Sequence, residues 1–325
     1  MQDWAVKYQQ NGLCRILGIN KNKIIGIIIL NMPTPLDKKD RHIPIPGILW
    51  MCGATLFFSI SLTLVKFLQD MGLTAFQAVL FRQVLGMLIF LPAIIIGGDV
   101  KQLKTAVPFK HVTRSAFGFL GMCTGYYSLV LINVADSVAL QFTLPIFTMF
   151  CAVWLLKEKI YSHRIIATLI GFVGVLIIVR PGFADINFGI FLAIASAATH
   201  AVSDTYARYL ARYDKLKIIM FYNFVFTIPF ALIPAIIWWT PVSADILPYL
   251  FCFGIAGISA QFCLTRSFSL ADASLVSPIL FFRLPVVAVI GWIAFDQKSE
   301  VWTWVGAVII ILATTWMARK ETKRT

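Results

Sequence analysis

Ten stretches of the chain are apolar and long: residues 46–68, 75–97, 115–133, 137–156, 165–180, 188–208, 217–238, 247–269, 273–295 and 302–318. A bilayer core about 30 Å thick takes about 20 mostly apolar residues at helical rise. Each stretch is therefore read as one crossing. The fifth is short, and the sixth carries polar residues. The intervening polar segments are brief, with no soluble domain inserted. The pattern predicts an all-α integral membrane protein with ten transmembrane helices.

Composition agrees. Of the 325 residues, 59% are hydrophobic and 13% charged, against roughly 45–50% and 25% in soluble domains. Too few charges remain to cover a water-facing surface, and disorder would require low hydrophobicity. The net charge of +13 is explained by placement. With the N-terminus in the cytoplasm, 23 of the 28 Lys and Arg residues fall on cytoplasmic segments. Counting a charge at the end of a crossing with the adjoining segment, only Arg180 and Lys298 fall on outer ones, and Lys66, Arg82 and Arg283 lie well within crossings. This asymmetry is the positive-inside pattern. It predicts a multi-pass protein of the cell inner membrane with both termini cytoplasmic, and no nucleic-acid partner. Of the six cysteines, all but Cys14 lie in apolar runs without a CxxC, and they read as small buried hydrophobes.

Residues 1–45 precede the first crossing as a cytoplasmic extension. Their apolar run, Ile24 to Leu30, is too short to span, and no small-residue cleavage site follows it. Met32 offers a second start, so residues 1–31 are expected to be dispensable.

Two stretches resemble each other. Ala135-Asp136-Ser137 leads into an apolar run with Leu144-Pro145, then Lys157-Glu158, then a span with Gly171 and Gly174 ending at Arg180. Ala271-Asp272-Ala273 leads into a run with Leu284-Pro285, then Asp296-Gln297, then a span with Gly306 ending at Arg319. The two copies start at the fourth and ninth crossings. Five crossings apart is an odd number, so the copies enter the membrane from opposite sides, as in the inverted repeats of secondary transporters. The predicted division is a first five-helix repeat at 46–180, a second at 188–318, and a tail at 319–325. Asp136 and Asp272 are expected to cap helix N-termini. Pro145 and Pro285 are expected to free carbonyls and bend helices beside a cavity, with a plain kink as the bland alternative. Gly121 and Gly125 form a GxxxG, which suits close helix contact.

Segment 135–182, ADSVALQFTLPIFTMFCAVWLLKEKIYSHRIIATLIGFVGVLIIVRPG, resembles the signature of the drug/metabolite transporter superfamily in its EamA-type branch. That signature is a proline-bearing helix, a Glu at a helix end, and a glycine-spaced helix ending in Arg-Pro-Gly. The second copy, TRSFSLADASLVSPILFFRLPVVAVIGWIAFDQ, is similar to the matching family segment, with Asp296-Gln297 where the family usually has Gly-Glu. The resemblance covers about residues 46–318. It implies two inverted five-helix halves around a central cavity, and movement of a small polar metabolite by alternating access. Segments 75–92 and 108–122 resemble the S-adenosylmethionine importers of intracellular bacteria, which implies uptake or exchange of that metabolite. Export of amino acids or related metabolites is the alternative reading.

Ionisable groups inside spans cost about 2.5–3.5 kcal/mol on insertion scales, so those retained are candidates. Arg283, near mid-bilayer, reads as a substrate-facing cation, or else as a buried ion-pair partner. Gln261, Gln141, Tyr126, Tyr222 and Asn223 could line a substrate site through hydrogen bonds and ring stacking. His200, Asp204 and Arg208 share one helical face at spacings of four. Asp204 with Arg208 reads first as a pair at the cytoplasmic rim. Asp204 or His200 as a proton carrier is the sharper reading. Arg82, where the family often has Arg, joins Pro145 and Pro285 as a coupling or gating candidate, and Lys66 is expected to snorkel outward.

The sequence carries no P-loop, so exchange competes with proton coupling as the driving force. The four histidines are scattered, without HExxH or paired carboxylates. Enzymatic chemistry, catalytic residues, metals and cofactors are therefore not expected. A channel would want a ring of repeated polar groups, against which the inverted repeat argues. The expected partners are a small-molecule substrate and membrane lipid, with a homodimer left open.

Overall fold

The computed structural model describes residues 44–96, 103–156, 162–180, 187–211, 213–270 and 277–322. The expectations for residues 1–31, for Asp272, and for Lys157 and Glu158 lie outside these. Among the described residues the fold is all helix. The elements are α1 (Pro44–Asp70), α2 (Ala75–Ile96), α3 (Pro108–Leu131), α4 (Val134–Gln141), α5 (Leu144–Leu156), α6 (Ser162–Val179), α7 (Phe188–Leu210), α8 (Leu216–Ile237), α9 (Leu247–Leu270), α10 (Arg283–Phe295) and α11 (Val301–Thr322). Short 3₁₀ turns at Ala244–Ile246 and Ser277–Phe282 precede α9 and α10.

Among the described residues, five helical segments are long and apolar enough to cross a membrane: Ile45–Asp70, Ala75–Pro92, Val134–Leu155, Lys217–Ile237 and Ala244–Leu264. Large apolar side chains such as Leu49, Trp154, Leu169, Ile233 and Ile293 stand exposed on helix surfaces, as lipid-facing residues do. The protein is a multi-pass membrane protein.

The fourth apolar stretch is broken. After α4, the Phe142 and Thr143 amides donate to Ala139 and Leu140 carbonyls, and α5 begins at Leu144. The ninth stretch opens in a 3₁₀ turn before α10. Pro145 is the second residue of α5 and Pro285 the third of α10. A first-turn proline lacks only an amide that would have no intrahelical partner. The interruption falls where each proline leaves a carbonyl without its amide: Gln141, four residues before Pro145, ends α4, and Phe281, four before Pro285, lies in the 3₁₀ turn, so each proline sits in the first turn of a new helix.

Helices of residues 44–180 pair with helices of residues 187–322, each time antiparallel. In α1 and α9, Trp50 meets Phe262 and Phe67 meets Tyr249. In α2 and α8, Phe76 stacks on Trp238 and Phe90 meets Phe224. In α6 and α11, a Cβ on Gly174 would fall 2.9 Å from the Gly306 carbonyl, and one on Gly306 2.5 Å from the Gly174 carbonyl. Only hydrogen in place of a side chain lets these backbones approach so closely.

The α3–α7 pair is a small-residue zipper. Gly118, Gly121 and Gly125 face Ser203, His200 and Ser196 in antiparallel order. Ser196 donates to the Gly121 carbonyl at 2.8 Å and Ser203 to the Arg114 carbonyl at 3.0 Å. Ser196, His200 and Ser203, three of the polar residues that weaken the sixth stretch as an apolar run, are thus turned toward α3 rather than lipid.

Helix ends and connecting segments are bonded to one another in two sets. In one, Gln77 Nε2 donates to the Thr240 carbonyl, Asn187 Nδ2 to the Leu131 carbonyl, and Arg180 pairs with Glu300. In the other, Thr105 and His111 both bond Asp214, and Ser267 donates to the Gly47 carbonyl.

One expectation is corrected at a helix end. Asp136 is not a cap: it lies in the first turn of α4 and accepts from the Thr303 hydroxyl at 2.5 Å. The first amide of α4, Val134, instead donates to Gln297 Oε1 at 3.1 Å. Asp296 adopts the left-handed region, φ 52° and ψ 28°, at the end of α10, where a family glycine would sit without strain. Lys66 is buried along its stem and its ammonium reaches one turn on, to the exposed carboxylate of Asp70 at the end of α1, at 2.8 Å. Cys123 and Cys263 are buried as expected, whereas Cys52 and Cys252 are exposed.

Candidate transport site

The interior polar groups gather from five helices. Arg82 on α2 donates from Nη1 to the Tyr126 hydroxyl of α3 at 2.8 Å, and its Nη1 lies 3.9 Å from Met122 sulfur. It fits this place because Gly257 of α9 has no side chain: a Cβ there would stand 2.8 Å from Arg82 Nε, with Ser61 of α1 beside it. Tyr126 itself is 5% exposed and meets Phe253 edge-on.

Arg283 opens α10, just after the 3₁₀ turn. Its guanidinium lies 5.7 Å over the ring of Phe58 on α1, a cation–π contact. Its Nε is shielded from solvent and has no hydrogen-bond partner. Arg283 lies within electrostatic range of Arg82 and Tyr126.

His200 of α7 sits over Gly121, so that a Cβ on that glycine would be 1.8 Å from Nδ1. It is within electrostatic range of Asp204, Arg82 and Arg283. Asp204 is exposed and is influenced by His200, Arg114 and Arg208. Among the described residues it makes no ion pair within 4 Å, so the expected Asp204–Arg208 pair is absent.

The other candidates spread outward. Gln141 ends α4, donates to Ser137 Oγ at 3.2 Å, and borders Gly125. Gln261 is exposed on α9, and Asn223 is half-buried on α8. Tyr222 does not join the interior group: its hydroxyl donates to the Leu103 carbonyl at 2.9 Å and its ring packs on His111 at 4.8 Å. Pro145 and Pro285 sit at the helix breaks.

The sequence reading missed three participants. Phe58 had no signal beyond being one of 27 phenylalanines. Met122 lay inside an apolar run. Arg114 falls just before the third apolar stretch, yet α3 starts at Pro108, so Arg114 is two turns inside it and donates to the Ile219 carbonyl at 3.3 Å. Proline at a helix start, Pro108 here, was the cue that could have moved that boundary.

This arrangement offers a polar, mostly cationic interior walled by aromatic rings, with no cluster of metal-ligating side chains among the described residues. It suits binding and passage of a small molecule. Known proteins agree. The chain is 30% identical to an S-adenosylmethionine uptake transporter of Rickettsia prowazekii (strain Madrid E), over 85% of this chain and 94% of that protein. It is 28% identical to a riboflavin transporter of Vibrio cholerae serotype O1, over 87% of this chain and 96% of that one. A solved crystal structure, 16% identical, superposes with a TM-score of 0.58 over 84% of this chain and 98% of its own, a likeness of fold alone. The model of the EamA-like transporter family matches twice, at residues 45–180 and 187–319. The chain is a membrane transporter, not an enzyme, and belongs to the EamA-like transporter family.

Proposed function

We propose that this transporter takes up S-adenosylmethionine across the inner membrane, alone or in exchange for another metabolite, by alternating access between two inverted five-helix halves. The meeting of Arg82, Tyr126, His200 and Arg283 in one interior carries the reading. These groups come from both halves, and together they offer charge and ring faces to a polar molecule with a planar base. Similarity to the Rickettsia uptake transporter supports the substrate.

Support for inversion comes from helix directions. If α2 corresponds to α8 and α6 to α11, corresponding helices run antiparallel, as an axis lying in the membrane plane requires. The bonds between helix ends fit ten crossings with both termini cytoplasmic, with 70–75, 131–134, 237–247 and 296–301 on the outer face and 103–108 and 213–216 on the inner. Arg283 and the other ionisable groups then sit at the depth where substrate would be held, and Asp204 with His200 forms the candidate coupling pair.

Purified protein in liposomes should accumulate labelled S-adenosylmethionine, with unlabelled S-adenosylmethionine competing. Accumulation of riboflavin in its place, which the Vibrio relative makes the second reading, would overturn the substrate assignment. Arg283→Gln should lower initial uptake by at least about tenfold while the protein stays inserted and monodisperse.

A further inference from the structure

We propose that Arg82 and Arg283 together form a receptor for a carboxylate on the transported molecule. This deepens the transport reading above and rests on it, with the cargo taken as S-adenosylmethionine or an amino acid.

Two guanidinium groups, one from α2 and one from α10, lie against the same turn of α1: Arg82 stands beside Gly257 next to Ser61, and Arg283 stands over Phe58, three residues away. Both are always charged, and each is expensive inside a membrane. The groups that hold them are neutral. Tyr126 accepts from Arg82 at 2.8 Å, and Phe58 lies under Arg283 at 5.7 Å. A phenol and a ring face fix position without cancelling charge. Among the described residues no carboxylate lies within 4 Å of either guanidinium. Asp204 answers instead to His200, Arg114 and Arg208. Arg283 Nε is buried with its donor unused, a cost that an arriving acceptor would remove.

The pair therefore lacks a planar anion with two oxygens. A carboxylate matches a guanidinium fork with two parallel hydrogen bonds, and between two forks it would neutralise repulsion as well. Phosphate would also answer the charge. Neither S-adenosylmethionine nor an amino acid carries phosphate, however, so the relevant group on the proposed cargo is its carboxylate. Riboflavin carries no carboxylate and would leave the pair unanswered.

The test is equilibrium binding to the full chain in nanodiscs. The probes are S-adenosylmethionine with its decarboxylated form, methionine with methioninamide, and riboflavin as the carboxylate-free control. The parent should bind at least one carboxylate probe about tenfold or more tighter than its counterpart. Arg82→Gln and Arg283→Gln should each shrink that ratio to about twofold. Arg283→Lys, which keeps charge but loses the fork, should fall between, and it carries the test should the glutamine variant fail to fold. Equal binding of S-adenosylmethionine and its decarboxylated form would overturn the receptor while leaving that cargo standing. Discrimination for methionine without binding of S-adenosylmethionine would uphold the receptor and overturn that cargo. A ratio that survives both glutamine variants, binding of riboflavin alone, or no binding of any carboxylate probe would overturn the receptor.

Discussion

Gly121 shows how tightly single residues are placed. Its missing side chain makes room for His200, whose Nδ1 would stand 1.8 Å from a Cβ. Gly121→Ala should destabilise the protein by about 1–3 kcal/mol through overpacking, read as a lower midpoint in a detergent melting series. His200→Ala in the same chain should restore most of it, the non-additivity expected of residues in contact. At Asp296, φ 52° makes a different forecast. Asp296→Gly should be tolerated, whereas Asp296→Ala should lower stability by about 1 kcal/mol, since a Cβ without local hydrogen-bonding ability disfavours the left-handed region. The same melting series reads both. Arg283 and Tyr126 could be singled out from sequence because a charge or phenol in an apolar run is conspicuous. Phe58 could not, because a ring that holds a cation and a ring that faces lipid are the same letter. Nor could the bond from Gln297 to Val134, whose partners are 163 positions apart.

Among elements, the apolar stretches locate the helices well, and the misplaced start of the third traces to its charges. A charge was read as the edge of a span. Lys110 and Arg114 pushed the third stretch to begin at residue 115, but α3 starts at Pro108 and runs through both. There the charges meet protein: Lys110 Nζ lies 5.7 Å over the Tyr206 ring, and Arg114 reaches a carbonyl of α8. The interruption of the fourth stretch is equally hidden, since Phe142 and Thr143 look apolar or neutral whether helical or turned. The first-turn position of Pro285 yields its own forecast. Pro285→Ala should cost less than about 1 kcal/mol, mostly lost preorganisation. Proline at Gly291, in the middle of α10, should cost about 3 kcal/mol or more by removing a hydrogen bond and clashing with the preceding turn. Yield of monodisperse protein and melting midpoint distinguish the two.

For the whole molecule, the proposed arrangement predicts which surfaces are reached from which side. In a cysteine-free background, Asp245→Cys should react with an impermeant maleimide added outside intact cells, and Tyr213→Cys only after the membrane is opened. Labelling of both from one side would refute the ten-crossing topology. One contact bears on the integrity of the whole. The N-terminal end of α4 is completed by residues far along the chain: Gln297 takes the Val134 amide, and Thr303 donates to Asp136. Were the polypeptide severed between residues 180 and 187, each fragment would carry an open seam whose mate belongs to the other. Fragments synthesised alone should be degraded, and the same fragments made together should find one another and copurify, because neither has a finished surface by itself.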